Sequence, residues 1–330
     1  MSTWAAEAIR TIRAKHTPTP LRTVRVGGAE IVMKDESTLP TGSTKHRTVA
    51  AMFCHAIASR DITETTQVIT ATAGPVATAA AHFATLLHLP STALVPAKAA
   101  EEVLARIENE GGRWQRAEQP PAALQQEARA LAARWGGHFL DHFTAAEPAV
   151  TAWPPTIADE LFAQLPEPPQ WIVVGAGTAA TATVIGRHIR GEGLPTRLAL
   201  VDPENSAYFP AWATGARDYG TGMPSRIPGI GRPRVEPGFH PGVVDLAIPV
   251  PDAASAAALL WLHGQGIDAG PATGTSLWGI HHLITKMGEQ GPMATLITDS
   301  GAPYRTTHLN RKWLTTKGLD PTPQEAELTW

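Results

Sequence analysis

Trp171-Ile172-Val173-Val174-Gly175-Ala176-Gly177-Thr178-Ala179-Ala180-Thr181 holds the most informative change of pattern in this chain. The unbroken apolar run at its start predicts a strand buried on both faces, as in a parallel sheet. The turn Gly175-Ala176-Gly177-Thr178 stops that strand, and a helix to about Arg190 follows. Backbone N–H groups at such a helix start bind phosphate, and threonine hydroxyls add donors. No Gly-Lys-Ser/Thr follows, so this is not a Walker loop, and the third glycine of a dinucleotide fingerprint is missing. Taken alone, the stretch reads equally well as a tight strand-to-helix connection.

On either side the chain alternates between short apolar runs and helical periods. Leu21–Val26 and Glu30–Lys34 read as strands joined by the hairpin turn Gly27-Gly28. Val68–Thr70, Ser91–Val95, Phe139-Leu140, Arg197–Val201 and Ala294–Ile297 read as further strands. Helices are expected at Trp4–Lys15, Lys45–Arg60, Pro75–Leu87, Ala99–Glu110, Pro121–Trp135, Ile157–Gln164, Ala253–Gln265 and Gly274–Met287. Tyr208–His240, rich in Gly and Pro, reads as a long functional loop, and Pro321–Trp330 as a loose polar end. Alternating strands and helices predict a doubly wound α/β architecture.

The totals narrow the function classes. The chain has 330 residues, 43% of them hydrophobic, enough for one large α/β unit or two cores. A formal net charge of -3 offers no basic face for nucleic acid or an acidic membrane. One cysteine, Cys54, excludes an internal disulfide and argues against a cysteine metal site. His281-His282 lack a spaced carboxylate, so no metal is expected. No signal-like start and no membrane-length apolar run is present, which makes a soluble cytoplasmic protein the expectation.

The other chemical candidate is Pro40-Thr41-Gly42-Ser43-Thr44-Lys45-His46-Arg47, with Ser43 or Thr44 as the N-cap of the helix that Lys45 opens. A lysine in the positive field of a helix start is disfavoured in its charged form, which helps an amine attack an aldehyde. A surface lysine near a helix start fits the spacing too.

This stretch resembles the lysine motif of the cysteine synthase and cystathionine β-synthase family, the fold-type II pyridoxal 5'-phosphate (PLP) enzymes. Further blocks follow in the family's order. Thr72-Ala73-Gly74-Pro75-Val76 stands at the substrate-carboxylate loop, and Gly177–Thr181, after Gly175, at the phosphate loop. Gly229-Ile230-Gly231 resembles the loop near the active site. Ala272 and Thr273 fall where a serine meets the pyridine nitrogen, and Asp299-Ser300-Gly301 resembles the block near the C-terminus. Val201–Ser206 and Gly229–Arg234 look most like the cysteine desulfhydrase branch.

The resemblance implies a tryptophan synthase β-like fold with a smaller domain at 37–145, helix 1–17 packed on it, and a larger one at 18–36 plus 146–330. It implies a cofactor in the cleft, a homodimer, and a lyase or transferase acting on an amino acid through a Lys45 Schiff base. Cofactor contacts would come from Lys45, Gly175, Gly177, Thr178, Ala179, Ala180, Thr181, Ala272 and Thr273. Substrate contacts would come from Thr72, Ala73, Gly74, Pro75, Val76, Gly229 and Ile230.

The sequence departs from the family in one direction. Ala73, Pro75 and Val76 remove donors from the carboxylate loop. Ala179 and Ala180 replace glycines, which costs about 1 kcal/mol wherever φ must be positive. Ala272 replaces the serine at the ring nitrogen, and strand alternation would point Thr273 elsewhere. Three readings stay open: β-elimination or β-replacement on cysteine or O-acetylserine, the same chemistry on an unusual amino acid of specialised metabolism, or a catalytically degenerate binding protein. His46 is expected on a helix surface or behind the site, and Trp278 is a candidate for the pocket wall.

Overall fold

A computed structural model describes residues 1–119 and 123–328. The chain divides into two compact units, 1–18 with 39–154, and 19–38 with 155–330.

In the first unit, β3 (Val68–Ala71), β4 (Ser91–Val95), β5 (Arg113–Arg116) and β6 (His138–Phe139) form an all-parallel sheet in the order β5-β4-β3-β6. Every residue of β3 and β4 is buried, as strands covered on both faces must be. The helices of this unit are α1 (Thr3–Ala14), α2 (Lys45–Ala58), α3 (Pro75–Leu86), α4 (Glu101–Asn109), α5 (Leu124–Trp135) and α6 (Ala146–Ala152). The helix expected from Pro121 begins at Leu124, and residues 120–122 lie outside the described ones. α6 is not among the expected helices, and it lies in a polar stretch that contains Pro148.

The second unit holds a six-stranded sheet, β1 (Leu21–Val26), β2 (Ala29–Asp35), β7 (Trp171–Gly175), β8 (Arg197–Pro203), β9 (Leu246–Val250) and β10 (Met293–Ile297). Its order is β1-β2-β10-β7-β8-β9, with only the β1–β2 hairpin antiparallel. β9 went unread because Pro249 interrupts it. The structure places it at the sheet edge with Pro249 exposed, where a strand tolerates proline. Helices α7 (Ile157–Gln164), α8 (Ala180–Gly191), α9 (Tyr208–Thr214), α10 (Asp252–Gly264), α11 (Pro271–Met287), α12 (Arg311–Thr316) and α13 (Thr322–Glu325) complete the unit. The Gly/Pro-rich stretch from Tyr208 therefore opens with a helix. Within the stretch expected to be a loose polar end, Leu328 is buried in the main core, and residues 329–330 lie outside the described ones.

That core joins Trp171, Val173, Ala199, Val201, Ile248 and Val250 on one sheet face to α10 and α11. Trp278 belongs to it and packs in this core. Lys34, fully buried at the back of β2, is held by Glu160 at 3.1 Å and by Gln164 Oε1 at 2.7 Å.

α11 lies so close to its neighbours that glycine is demanded twice. A Cβ on Gly274 would stand 2.3 Å from the Ser255 carbonyl oxygen of α10, and one on Gly279 would stand 2.3 Å from Val201 Cγ1. The Ser255 carbonyl is backbone and cannot swing aside. Gly274→Ala should therefore destabilise the protein by about 2 kcal/mol through forced separation of α10 and α11, read as a lower urea midpoint at unchanged slope.

Candidate active site

The lysine lies in the first unit. Gly42 adopts φ +72° and closes a turn by donating its N–H to the Leu39 carbonyl at 2.7 Å. Ser43 Oγ accepts the Lys45 N–H at 3.2 Å and Ser43 O accepts the His46 N–H at 3.0 Å, so Ser43 caps α2 while the Thr44 side chain does not. Ten residues of α2 are buried, and Lys45 itself is half-buried at its start.

His46 is buried, not on a helix surface. Its ring packs 4.6 Å from Phe83 and 5.1 Å from His82, and its Nδ1 lies 3.3 Å from Thr41 Oγ1. Burial first, then the His82, Arg47 and His16 charges, push its pKa down from 6.5 to about 3.

The Thr72–Val76 loop leaves the end of β3. Thr72 Oγ1 accepts the Gly74 N–H at 3.0 Å, Gly74 is the N-cap residue of α3, and Pro75 occupies its first turn. Ala73 packs on an apolar cluster around Ala77, Ala81 and Ala93, and Val76 is buried. Two of the departures from the family thus put side chains into packing. Sequence reading passed over Gln125 of α5, which donates through Nε2 to the Ala71 carbonyl at 3.0 Å beside this loop. Its buried Oε1 has no hydrogen-bond partner among the described residues. No sequence signal marks it, because a glutamine on a helix usually serves solubility.

The glycine-rich turn lies in the second unit, between β7 and α8. The amides of Gly177, Thr178, Ala179, Thr181 and Ala182 find no acceptor among the described residues, as expected of a helix start. A Cβ on Gly177 would stand 2.3 Å from the Gly229 carbonyl oxygen, and one on Gly175 would meet Ile230 Cγ2 at 2.8 Å. Gly229 and Ile230 are thereby placed against this turn. Ala179 adopts φ +62°, the left-handed conformation that favours glycine, whereas Ala180 has helical backbone. Ala272 and Thr273 lie in the first turn of α11, which begins at Pro271, so strand alternation does not govern them. Ala272 forms an apolar cluster with Ile227 and Ile230, and Thr273 Oγ1 accepts the Thr298 N–H at 3.3 Å.

The pyridoxal-phosphate dependent enzyme family matches residues 12–299. L-Cysteine desulfhydrase Cds1 of Mycobacterium tuberculosis is 43% identical, over 98% of this chain and 93% of that protein. This chain belongs to the pyridoxal-phosphate dependent enzymes.

Among solved structures, O-ureido-L-serine synthase superposes with a TM-score of 0.79 at 22% identity, covering 91% of this chain and 93% of that one. The Entamoeba histolytica O-acetylserine sulfhydrylase isoform 3 gives 0.78 at 19%, covering 94% and 95%. These likenesses establish the tryptophan synthase β-like, fold-type II architecture. The chain of this PLP enzyme fits the cofactor's phosphate: a cluster of unpartnered amides heads α8, and the approach to Gly177 leaves no room for a side chain. At the Ala272 position it offers methyl groups instead of a hydroxyl.

The left-handed Ala179 stores strain that glycine would release. Ala179→Gly should raise stability by up to about 1 kcal/mol in urea denaturation. His46 gives a second test. Because its folded pKa lies below the unfolded value of 6.5, the unfolded chain binds the extra proton as pH falls, and stability is lost between pH 6.5 and about 3. His46→Gln should flatten the dependence of melting temperature on pH over that interval.

Proposed function

We propose that this PLP enzyme catalyses β-elimination on L-cysteine, releasing hydrogen sulfide, with Lys45 as the catalytic residue. Overall, cysteine and water give hydrogen sulfide, pyruvate and ammonia. The observation that carries the reading is Lys45, the first residue of a buried helix, set by the Gly42-Ser43 turn. The desulfhydrase relative, matched along nearly the whole chain, supports cysteine as substrate.

In this reading Lys45 would hold the cofactor through its ε-amine, and the same amine would take the proton from the amino acid's Cα. PLP, when bound, supplies the electron sink that makes that proton acidic. Gly175, Gly177, Thr178, Ala179, Ala180 and Thr181 hold the phosphate. Ala272 and Thr273 would border the ring, and with no carboxylate at position 272 nothing there would hold a proton on the ring nitrogen. Such a ring favours elimination and replacement at Cβ over transamination. Thr72, Ala73, Gly74, Pro75 and Val76 face the substrate's carboxylate, with the Ala73 and Val76 N–H groups and the Thr72 hydroxyl as donors, since Pro75 has no N–H and the Gly74 N–H is taken by Thr72 Oγ1. Gly229 and Ile230 border the substrate. The protein works as a homodimer, as the family resemblance implies. No described helix is long and apolar enough to cross a membrane.

One observation favours a second reading, β-replacement or elimination on a bulkier amino acid: Ala73, Pro75 and Val76 remove side-chain donors from the carboxylate loop. Sulfide release and pyruvate formation, measured with L-cysteine, O-acetylserine and longer β-substituted amino acids, separate the two. The purified protein should show the visible absorption of bound cofactor. Lys45→Ala should abolish both sulfide release and the native spectrum. A colourless protein that PLP cannot reconstitute would overturn both readings.

A further inference from the structure

The β7–α8 turn is held from behind by a second loop pair. Ala207 donates its N–H to the Arg232 carbonyl at 2.7 Å, and Arg232 donates its N–H to Ser206 Oγ at 3.1 Å. These bonds zip residues 206–207 to 231–232. From the zipped pair two donors reach the turn: the Gly231 N–H meets the Ala176 carbonyl at 2.8 Å, and the Tyr208 hydroxyl meets the Gly177 carbonyl at 2.5 Å. Tyr208 is fully buried, its ring packs 4.7 Å from Phe239, and the start of its helix is fixed by the Phe209 N–H donating to Asp202 Oδ2 at 2.7 Å. Burial, with the nearby Glu236 charge next, keeps the phenol pKa well above its ordinary value, so the hydroxyl remains a donor.

A trans peptide is planar, and its carbonyl and N–H point in opposite directions. Fixing the Ala176 carbonyl therefore fixes the Gly177 N–H on the other side, and fixing the Gly177 carbonyl does the same for the Thr178 N–H. Neither N–H has an acceptor among the described residues. Glycine has no Cβ to resist rotation of that peptide, so without an outside bond the Thr178 N–H is free to turn inward.

We propose that Tyr208 is a positioning residue for the cofactor's phosphate: its hydroxyl locks the Gly177–Thr178 peptide so that the Thr178 N–H faces the anion. This rests on the reading of the β7–α8 turn as the PLP phosphate site and adds to it a residue that contacts neither cofactor nor substrate. It acts entirely through the Gly177 carbonyl.

The test is titration of the apoprotein with PLP, and separately with pyridoxal, which lacks the phosphate, alongside the ³¹P resonance of bound PLP. Tyr208→Phe keeps the ring and removes the donor. It should weaken PLP binding by about tenfold and shift or broaden the ³¹P signal, while pyridoxal binds as it does to wild type. Phe239→Leu loosens the packing around the same ring without touching the hydrogen bond. It should lower the apoprotein's melting temperature and leave PLP affinity and the ³¹P signal unchanged. If Tyr208→Phe binds PLP as tightly as wild type, or loses pyridoxal and PLP affinity equally, the positioning role is overturned while the cofactor reading stands. If wild-type protein binds no PLP, both fall.

Discussion

A helix that starts at the end of a buried strand leaves several N–H groups with no acceptor in the chain. At the start of α8 this shortage organises the second unit. β7 is buried because sheet neighbours and helices cover it, and the turn after it must pass so near Gly229 that position 177 admits no side chain. Ala179 accepts a left-handed backbone to bring the helix into place. Tyr208 and Gly231 then occupy the two carbonyls that precede the open amides. Two of the turn's carbonyls accept bonds from within the protein while the amides of Gly177, Thr178 and Ala179 have no acceptor among the described residues, which is the electrostatic condition for holding an anion.

The lysine end is built differently. α2 is buried along most of its length, and its first residue carries the amine, so Lys45 is anchored by a helix that cannot shift without disturbing the core. The neighbouring loop has exchanged hydrogen-bonding side chains for packing: Ala73 joins an apolar cluster and Val76 is buried. Ala272 has made the same exchange with Ile227 and Ile230. The common direction is away from side-chain donors and toward backbone groups held by close packing.

Much of this was legible beforehand. Period and turn chemistry located β7, α2, α3 and α8, because a strand covered on both faces favours apolar residues and a left-handed turn favours glycine. The family pattern followed from ordered short blocks, each set by local backbone geometry. β9 was hidden because Pro249 is a strand breaker everywhere except at a sheet edge, and which strand becomes the edge is not a local property. α9 and the ordered C-terminal Leu328 were hidden for the same reason, since their stability comes from what they pack against.

The sequence by itself carried the α/β class, the turns that open the helices at Lys45 and after Gly177, and, through short blocks in a fixed order, the resemblance to the PLP family, because each block depends on residues adjacent along the chain. Only the tertiary structure decided that His46 is buried and hard to protonate, that Trp278 is core, that Ala179 is the strained alanine and Ala180 is not, and that Gln125 and Tyr208 stand behind the loops that matter. Those facts depend on contacts between residues far apart in the chain, such as the 31 positions separating Tyr208 from Gly177. Pairings at that range are set by how helices and strands stack, which no short window of residues encodes.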